Sequence, residues 1–447
     1  MQSAHATVRP LRPAGGWTSD IDAVNEGRWR HPATGETQGR CPFEIIAIED
    51  SLDGAEADLV ARLGFGGAIC VVSDTATRDA MGGRVARALG AAGEVVLEHP
   101  HADEAEIARL EPLLRGYDHV IAVGSGTVND LCKYITARDG RRYAVFGTAA
   151  SMDGYGSVTA SITLESGLKV STPAHAASGI FIDLAVNAAA PAHLAAAGFG
   201  DSVNRAVAQV DWWMSHRLRD TFYTDVAYLV SGDNEDRMIE ASPGLPAGDI
   251  VSMGWLHRNL MFSGLGVSYT RVSNHGSMSE HQISHYIDCF AGTRHPGTLH
   301  GAQVGAASVA MARLQAAMLG SETPPQVAAT RIDEDGMRRR MGAAAPQCIA
   351  EYRRKAFDAQ GAAAFNERIA AIWPELRREC LGFMIPPAEL EAMLRAAGAP
   401  VSGAELGCPP DLWREALRHG HEMRDRFSFV DIACDAGLLD DFVAGQD

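Results

Sequence analysis

The sequence predicts an α/β protein in which a parallel-sheet half is followed by an all-helical half. Short apolar segments of strand type alternate with helical segments between residues 43 and 188, a pattern typical of βαβ units and a parallel sheet. After about residue 188 the strand-like segments stop, and Ala-rich helical stretches follow, separated by Gly and Pro. We therefore expect an extended or weakly ordered arm at 1–42, an α/β domain at 43–188 and a helical domain at 189–447.

The individual elements follow from the same patterns. Strands are predicted at 43–48, 68–72, 94–97, 119–123 and 143–146, and the helices between them at 55–63, 77–89, 104–114 and 128–138. In the second half, helices are predicted at 189–215, 251–266, 279–290, 299–318 and through much of 345–445. The polar, turn-rich stretch 231–249 is expected to be a surface connection. A cleft between two such halves is a usual place for a small-molecule site.

Composition and charge exclude several classes of protein. The net charge of −17 argues against nucleic-acid binding, which needs a basic face. No run of about 20 apolar residues is present, which argues against a membrane span. The N-terminus lacks the apolar core of an export signal, so the eight cysteines are expected to be reduced thiols in a cytoplasmic protein. Lysine occurs only at 133, 169 and 355, which indicates either a specific role for one of them or simple compositional bias.

Four histidines within residues 279–304 indicate a metal site. His281 and His285 are four residues apart and share a face if the segment is helical, while His300 follows a turn and begins a new apolar helix. Catalytic zinc takes three protein ligands, so Asp201, His281 and His300 form one candidate set. His285 would then lie beside the metal and be free to move protons. An alternative pairs His281 with His285 as in HxxxH metalloproteases, although Gln282 stands where that motif has Glu. A helix N-cap for Asp201 and ordinary core histidines are the other interpretations.

A second candidate site is the strand-to-helix turn Gly124-Ser125-Gly126-Thr127. Small residues there let the backbone approach a phosphate, and a helix N-terminus offers free N–H groups and a partial positive charge. A tight turn that needs glycine for its geometry explains the same residues equally well. Asp74, at the end of another strand, could bind the hydroxyls of a ribose and favour NAD over NADP, or could cap the following helix.

The loop 147–157 and two lysines complete the candidates. The loop is rich in hydroxyl groups that could hold a cofactor, and its carboxylate, Asp153, could accept a hydrogen bond from an alcohol substrate. Lys169, in a strand-like segment, could bind an anion or assist proton transfer. For both Lys169 and Lys133, a solvated surface position is the alternative.

Several motifs, in the same order, resemble those of the bacterial sn-glycerol-1-phosphate dehydrogenases. They are VGSGTVNDLCKY, TAASMDGYGS, GLKVSTPA, AGFGDSVNRAVAQVDW, SEHQISH, LHGAQVG and RDRFSFVDIACDAGLLD. That family belongs with the glycerol dehydrogenases, the iron-containing alcohol dehydrogenases and the dehydroquinate synthases. The resemblance runs from about residue 43 to 443, so the first 42 residues lie outside it.

The resemblance implies a Rossmann-like dinucleotide domain, a helical metal-binding domain, and reversible NAD(P)H-dependent reduction of dihydroxyacetone phosphate. It implies that Asp201, His281 and His300 bind a divalent metal, usually zinc, with nickel or iron as alternatives. Asp153 would contact the substrate, and His285 or water would supply the proton. The implied dinucleotide-binding residues are Asp74, Gly124, Ser125, Gly126, Thr127, Asp130, Thr148, Ser151 and Ser157.

Further expectations concern the substrate and the assembly. A phosphorylated three-carbon substrate needs local cationic groups, for which Lys169, Arg271 and His295 are candidates. A homo-oligomer, a dimer or larger, and a place in phospholipid metabolism are also expected. The segment TRVSNHGSM before His281 departs from the family pattern. A related phosphorylated or phosphonylated ketone or polyol, a dehydroquinate-synthase-like lyase reaction and a non-catalytic relative therefore remain as alternatives.

Overall fold

The first half of the protein folds around a six-stranded, fully parallel sheet. The computed structural model describes residues 11–446. Its strands are Ile45–Glu49 (β1), Ile69–Asp74 (β2), Gly93–Leu97 (β3), His119–Gly124 (β4), Arg142–Gly147 (β5), Thr159–Thr163 (β6), Lys169–Pro173 (β7) and Gly179–Asp183 (β8). The sheet order is β1-β8-β5-β4-β2-β3, and β6 pairs with β7 in a separate antiparallel hairpin. The inner strands are apolar and buried because helices cover both faces of a parallel sheet.

Helices make up nearly all of the second half. Those of the first half are Ser19–Asn25 (α1), Glu56–Arg62 (α2), Thr75–Thr77 (α3), Gly83–Leu89 (α4), Glu104–Leu114 (α5), Gly126–Asp139 (α6) and Leu184–Ala189 (α7). Those of the second half are Ala192–Val203 (α8), Arg205–Arg219 (α9), Val226–Leu229 (α10), Asn234–Ala241 (α11), Ile250–Thr270 (α12), Ser279–Phe290 (α13), His300–Gly320 (α14), Glu334–Met341 (α15), Ala345–Lys355 (α16), Ala359–Phe383 (α17), Pro387–Ala396 (α18), Pro410–His419 (α19), Phe429–Asp435 (α20) and Leu439–Ala444 (α21). Among residues 11–446, no helix combines the length and the apolar character that a membrane crossing requires.

Several observed elements differ from the predicted ones. The sequence missed β8, which lies between β1 and β5, because a five-residue apolar run has no periodicity that separates a buried strand from a helix. The single helix predicted at 189–215 is divided into α8 and α9, and the short α7 ends where the predicted helix begins. Pro191 is the N-cap of α8, and Asn204 separates α8 from α9. The predicted surface connection 231–249 contains α11, whose Met238 and Ala241 are buried.

The described part of the N-terminal arm is ordered by packing on α12. Ile21 and Val24 of α1 are buried, and the ring of Trp17 meets that of Trp255 edge to face at a centroid distance of 6.0 Å. Arg258 donates to the carbonyl of Trp17 and forms a 2.6 Å ion pair with Asp20. The prediction of an extended arm is therefore wrong for this stretch, while residues 1–10 of the predicted arm lie outside the described residues. The spacing of the three apolar residues, i, i+4 and i+7, was a helical signal in the sequence.

Candidate functional site

A cavity of about 1140 Å³ lies between the sheet and the helical half and receives most of the predicted site residues. From the first half it is lined by Ser125, Gly126, Thr127, Asp130, Ser151, Asp153, Ser157 and Lys169, and from the second by Asp201, Arg271, His281, His285, His295 and His300. Asp74, Gly124 and Thr148 are not part of the lining. The structure therefore brings two distant groups of motifs to one cleft.

The helical half brings Asp201, His281 and His300 together. A single ligand atom from each of the three residues lies within 4.8 Å of the others. Asp201 is on α8 and His300 begins α14, and these helices touch through small residues. A Cβ added to Gly200 would lie 2.4 Å from the carbonyl oxygen of Gly301, so only glycine permits this approach. The close crossing places the carboxylate beside the imidazole of the neighbouring helix.

Neighbouring side chains orient both imidazoles. Nδ1 of His281 lies 2.9 Å from a carboxylate oxygen of Glu280, and its Nε2 lies 3.3 Å from Oδ1 of Asp201. Nδ1 of His300 lies 2.7 Å from the hydroxyl oxygen of Ser284, which leaves its Nε2 for a ligand. Such partners hold metal-binding histidines in the required tautomer and orientation.

The donor set fits a divalent metal ion. Oδ1 of Asp201 is buried and accepts no hydrogen bond from the described residues, since its alignment with His281 is poor. Two imidazoles and one carboxylate are a ligand set of catalytic zinc. An unpaired buried oxygen facing two imidazole nitrogens is therefore satisfied when a cation lies between them.

The acid–base properties of the cluster reflect strong mutual electrostatics. Burial lowers the pKa of His281, but the carboxylates of Asp201 and Glu280 outweigh this and raise it to about 9. Burial lowers the pKa of His300. The pKa of Asp153 is raised to about 6 by burial and by the negative charge of Asp201. Without a metal ion, a proton on His281 offsets the negative charge, so metal binding and protonation compete.

His285 lies beside this group and is not one of its three members. Its ring stacks on that of His300 at a centroid distance of 5.0 Å, and its Nδ1 is buried without a hydrogen-bond partner among the described residues. Burial holds the pKa of His285 well below its usual value, so the ring is neutral. Asp153 approaches from the other half, and its Oδ2 accepts a 2.8 Å hydrogen bond from the hydroxyl of Ser263.

Asp288 is a site residue that the sequence interpretation missed. Its carboxylate lies 3.0 Å from Nζ of Lys169, 3.3 Å from Nε2 of His295 and 3.4 Å from Nδ1 of His300. It thus already pairs with two of the predicted anion-binding side chains, Lys169 and His295, and supports one candidate metal ligand. A signal was present, because His281, His285 and Asp288 follow the i, i+4, i+7 spacing of one helix face.

At the sheet end, β4 and β5 finish side by side, with Gly124 opposite Gly147. The carbonyl of Gly124 accepts hydrogen bonds from the amide of Thr148 at 3.2 Å and the hydroxyl of Tyr155 at 3.0 Å. A Cβ on Gly124 would lie 2.7 Å from Cβ of Val128, which supports the tight-turn interpretation. Ser125 is the N-cap of α6 but makes no side-chain capping bond, so the N–H groups of the first turn remain available to a ligand.

Lys133 is buried and does not occupy the solvated surface position that was the alternative for it. It is fully buried, and its ammonium donates to the carbonyls of Gly154 at 2.7 Å and Thr159 at 3.0 Å. Asp130 lies 3.5 Å from the same ammonium and also accepts a 3.0 Å hydrogen bond from the amide of Ser161. Lys133 and Asp130 therefore fix the loop and the hairpin that border the cleft, because buried carbonyls need donors.

Asp74 caps a helix, as one of the two interpretations expected. Its Oδ1 accepts a 2.8 Å hydrogen bond from the amide of Thr77, and the hydroxyl of Thr77 accepts a 3.0 Å bond from the amide of Asp74. This capping box begins α3 at the carboxyl end of β2. Binding of a ribose by Asp74 stays a prediction.

The sequence and the fold were compared with those of known proteins. Residues 47–191 match the family model described as iron-containing alcohol dehydrogenase. A probable glycerol dehydrogenase from Sinorhizobium meliloti superimposes with a TM-score of 0.57 at 19% identity, covering 91% of this chain and 98% of that one. An iron-containing alcohol dehydrogenase from Corynebacterium glutamicum gives a TM-score of 0.59 at 14% identity, covering 91% and 96%. The chain has the iron-containing alcohol dehydrogenase fold.

The sequence relatives show a more specific similarity, to proteins named glycerol-1-phosphate dehydrogenase. A glycerol-1-phosphate dehydrogenase [NAD(P)+] from Bacillus licheniformis is 26% identical over 429 residues, covering 94% of this chain and 94% of the relative. One from Bacillus subtilis is 28% identical over 310 residues, covering 69% and 68%. The predicted fold class and the resemblance to this group are confirmed. The family model ends before Asp201, so it covers the sheet half but none of the three candidate metal ligands.

Two arginines in the cavity wall also escaped the sequence interpretation. Arg424 and Arg426 line the cavity from the loop before α20, more than 120 residues after His300. They belong to the motif RDRFSFVDIACDAGLLD, but no local spacing links them to the histidines. Only the folded chain shows that they share a cavity.

Proposed function

We propose that the protein is a metal-dependent NAD(P)H oxidoreductase that interconverts dihydroxyacetone phosphate and sn-glycerol 1-phosphate. The observation that carries this proposal is the single cleft in which Asp201, His281 and His300 face a glycine-rich helix N-terminus. The names of the sequence relatives supply the substrate pair and the dinucleotide. The proposed domain limits, 43–188 and 189–447, divide the cleft into a nucleotide side and a metal side.

On the metal side, we assign Asp201, His281 and His300 as ligands of one divalent ion, zinc first and nickel or iron as alternatives. An ion held there acts as a Lewis acid toward the substrate oxygen whose negative charge grows during hydride transfer. Glu280 and Ser284 contact the Nδ1 atoms of the two imidazole rings, which leaves the Nε2 atoms for the ion. Fixing these rings in advance reduces the reorganisation that the reaction would otherwise require.

On the nucleotide side, the pyrophosphate would lie on the first turn of α6. Ser125, Gly126 and Thr127 offer backbone N–H groups and hydroxyls there. We assign Asp130, Ser151 and Ser157, which line the cavity, and Thr148, which does not, to the same dinucleotide site. We propose that Asp74 binds the adenosine ribose and gives a weak preference for NAD. The role of Gly124 is to let the chain turn without a side chain.

Proton transfer is assigned to groups beside the metal ligands. We propose that His285, whose ring stacks on that of His300, passes a proton to the substrate oxygen, directly or through water. Asp153, held by Ser263, would accept a hydrogen bond from a substrate hydroxyl and so set its orientation. Lys169 would act mainly through its 3.0 Å ion pair with Asp288. We further propose a cytoplasmic homo-oligomer that acts in phospholipid metabolism and binds no nucleic acid.

The decisive experiment is NADH oxidation by the metal-loaded protein with dihydroxyacetone phosphate, compared with unphosphorylated dihydroxyacetone. We expect turnover with the phosphorylated ketone and little with the other. Equal rates would assign the protein to the polyol dehydrogenases. A reaction without net NADH consumption would favour a dehydroquinate-synthase-like lyase, and nucleotide binding without turnover on any ketone would favour a non-catalytic relative.

A further inference from the structure

The cationic side chains in the cavity wall differ in whether they are already paired. Lys169 and His295 both face the carboxylate of Asp288. Arg426 donates to the carbonyl and hydroxyl of Ser277, and its other nitrogen lies 2.8 Å from the hydroxyl of Ser273. Arg424 makes no side-chain hydrogen bond or ion pair with any residue of the range 11–446. Arg271 also lacks such a partner among the described residues, but its side chain is exposed to solvent, whereas that of Arg424 is partly buried. The guanidinium of Arg424 is therefore the partly buried, unpaired cation of the cavity wall that is available to a ligand.

The loop that carries Arg424 is held firmly. The ammonium of the buried Lys355 donates to the carbonyls of His421 at 2.7 Å and Arg426 at 2.9 Å, and forms a 2.7 Å ion pair with Asp431. Arg426 ties the same loop to the segment before α13 through Ser277. The position of Arg424 is thus set before any ligand arrives, which reduces the entropy cost of binding.

Arg424 lies on the metal side of the cleft. It lines the same cavity as His285 and His300, whose rings stack at a centroid distance of 5.0 Å. The neighbouring Asp425 also lines the cavity, and its negative charge partly offsets that of Arg424. Its exposed carboxylate forms no ion pair with Arg424, however, and lies 3.7 Å from Arg354. A partly buried cation without a partner is costly and becomes favourable once an anion pairs with it.

We propose that Arg424 binds the phosphate group of the substrate. The identity of that substrate rests on the proposed function, whereas the need for an anion rests on the unpaired guanidinium alone. Arginine matches a phosphate with two parallel hydrogen bonds, an arrangement that a lysine already paired with a carboxylate does not offer. Arg424, in preference to Lys169 or His295, is therefore the specificity residue for a phosphorylated over an unphosphorylated ketone.

The test compares Arg424→Gln with two other variants of the metal-loaded protein. Arg271→Gln removes the other cavity arginine without a side-chain partner among the described residues, and Arg338→Gln removes an exposed arginine of α15. The ratio of kcat/KM for dihydroxyacetone phosphate to that for dihydroxyacetone should fall about 10- to 100-fold in Arg424→Gln, the effect of losing hydrogen bonds to a charged group. Arg338→Gln should keep the wild-type ratio. An unchanged ratio in Arg424→Gln, or a larger fall in Arg271→Gln, would overturn the assignment.

A second measurement separates this inference from the proposed function. Inorganic phosphate is titrated into each metal-loaded protein by calorimetry, which needs no turnover. Wild type should bind phosphate, Arg424→Lys should bind it more weakly, and Arg424→Gln should lose roughly tenfold or more in affinity. If Arg424→Gln loses phosphate binding but the wild-type protein does not reduce dihydroxyacetone phosphate, the assignment of Arg424 as the phosphate-binding residue stands and the proposed function is wrong. Equal phosphate binding by wild type and Arg424→Gln would contradict the role of Arg424 without affecting the proposed function.

Discussion

The two ends of the cleft differ in what faces the cavity. At the helical end, the groups are side chains held by other side chains: Glu280 orients His281, and Ser284 and Asp288 orient His300. At the sheet end, they are largely backbone N–H groups and hydroxyls whose positions depend on the course of the chain, as at Ser125 and Gly126. A site made of side chains is lost by deleting one of them, whereas a site made of backbone is damaged by changing the chain's path.

The largest effect that this comparison predicts is at the metal ligands. His281→Ala and His300→Ala should each lose bound metal and lower kcat/KM by roughly a thousandfold or more, since a Lewis acid contributes several kcal/mol to charge stabilisation. Metal content is measured by mass spectrometry after gel filtration. His193→Ala, at an exposed position of the helix that carries Asp201, serves as the control. Full metal occupancy in either ligand variant would contradict the assignment.

A smaller effect is expected at Asp288, which contacts the candidate ligand His300 but is not itself a proposed ligand. Asp288→Asn keeps the size of the side chain but removes the charge near His300 and Lys169, so metal affinity should fall about 10- to 100-fold. A chelator competition titration measures this. Asp440→Asn, at an exposed ion pair with Arg418, is the matched control and should keep the wild-type affinity. If Asp288→Asn binds metal with the wild-type affinity, the contact of Asp288 with His300 does not contribute to metal binding.

At the sheet end, Gly124→Ala should act through the backbone. The new Cβ would lie 2.7 Å from Cβ of Val128, so the turn must shift, at a cost of about 1 to 3 kcal/mol in the free energy of unfolding. NADH affinity should fall while metal content stays at the wild-type level. The control is Gly66→Ala, where an added Cβ meets no atom within 4 Å. Urea unfolding and NADH fluorescence titration provide the two readouts, and metal loss in Gly124→Ala would mean that the two ends are not independent.

The smallest predicted effect separates two roles of Asp74. Asp74→Ala should lower the free energy of unfolding by about 1 kcal/mol, because the cap on the amide of Thr77 is lost. Asp74→Asn retains an acceptor for that amide but removes the charge, so it should stay close to wild-type stability. Both variants should shift the NAD/NADP ratio of kcat/KM toward NADP if the carboxylate binds the ribose. An unchanged ratio in both would leave Asp74 with the capping role alone.

The three lysines show what amino-acid composition can and cannot predict about the role of a residue. Their scarcity suggested a specific role for one of them, and in the structure all three are used internally. Lys133 holds two carbonyls at the border of the cleft, Lys169 pairs with Asp288, and Lys355 anchors the loop of Arg424. The surface position weighed for Lys133 is wrong, because the partners that make its burial favourable are separated from it by more than 20 residues.

The sequence alone determined the features that depend on local spacing and residue type. The alternation in the first half predicted the parallel sheet, the helix bearing His281 was predicted at the residues where it is found, and a ligand set was proposed from its chemistry. Tertiary structure decided the rest. It placed β8 inside the sheet, packed α1 on α12, crossed α8 with α14 at Gly200 and Gly301, and brought Arg424 into the wall of the cavity that His285 also lines. These features depend on contacts between residues far apart in the chain, whose geometry follows from helix packing and strand order and leaves no local period in the sequence.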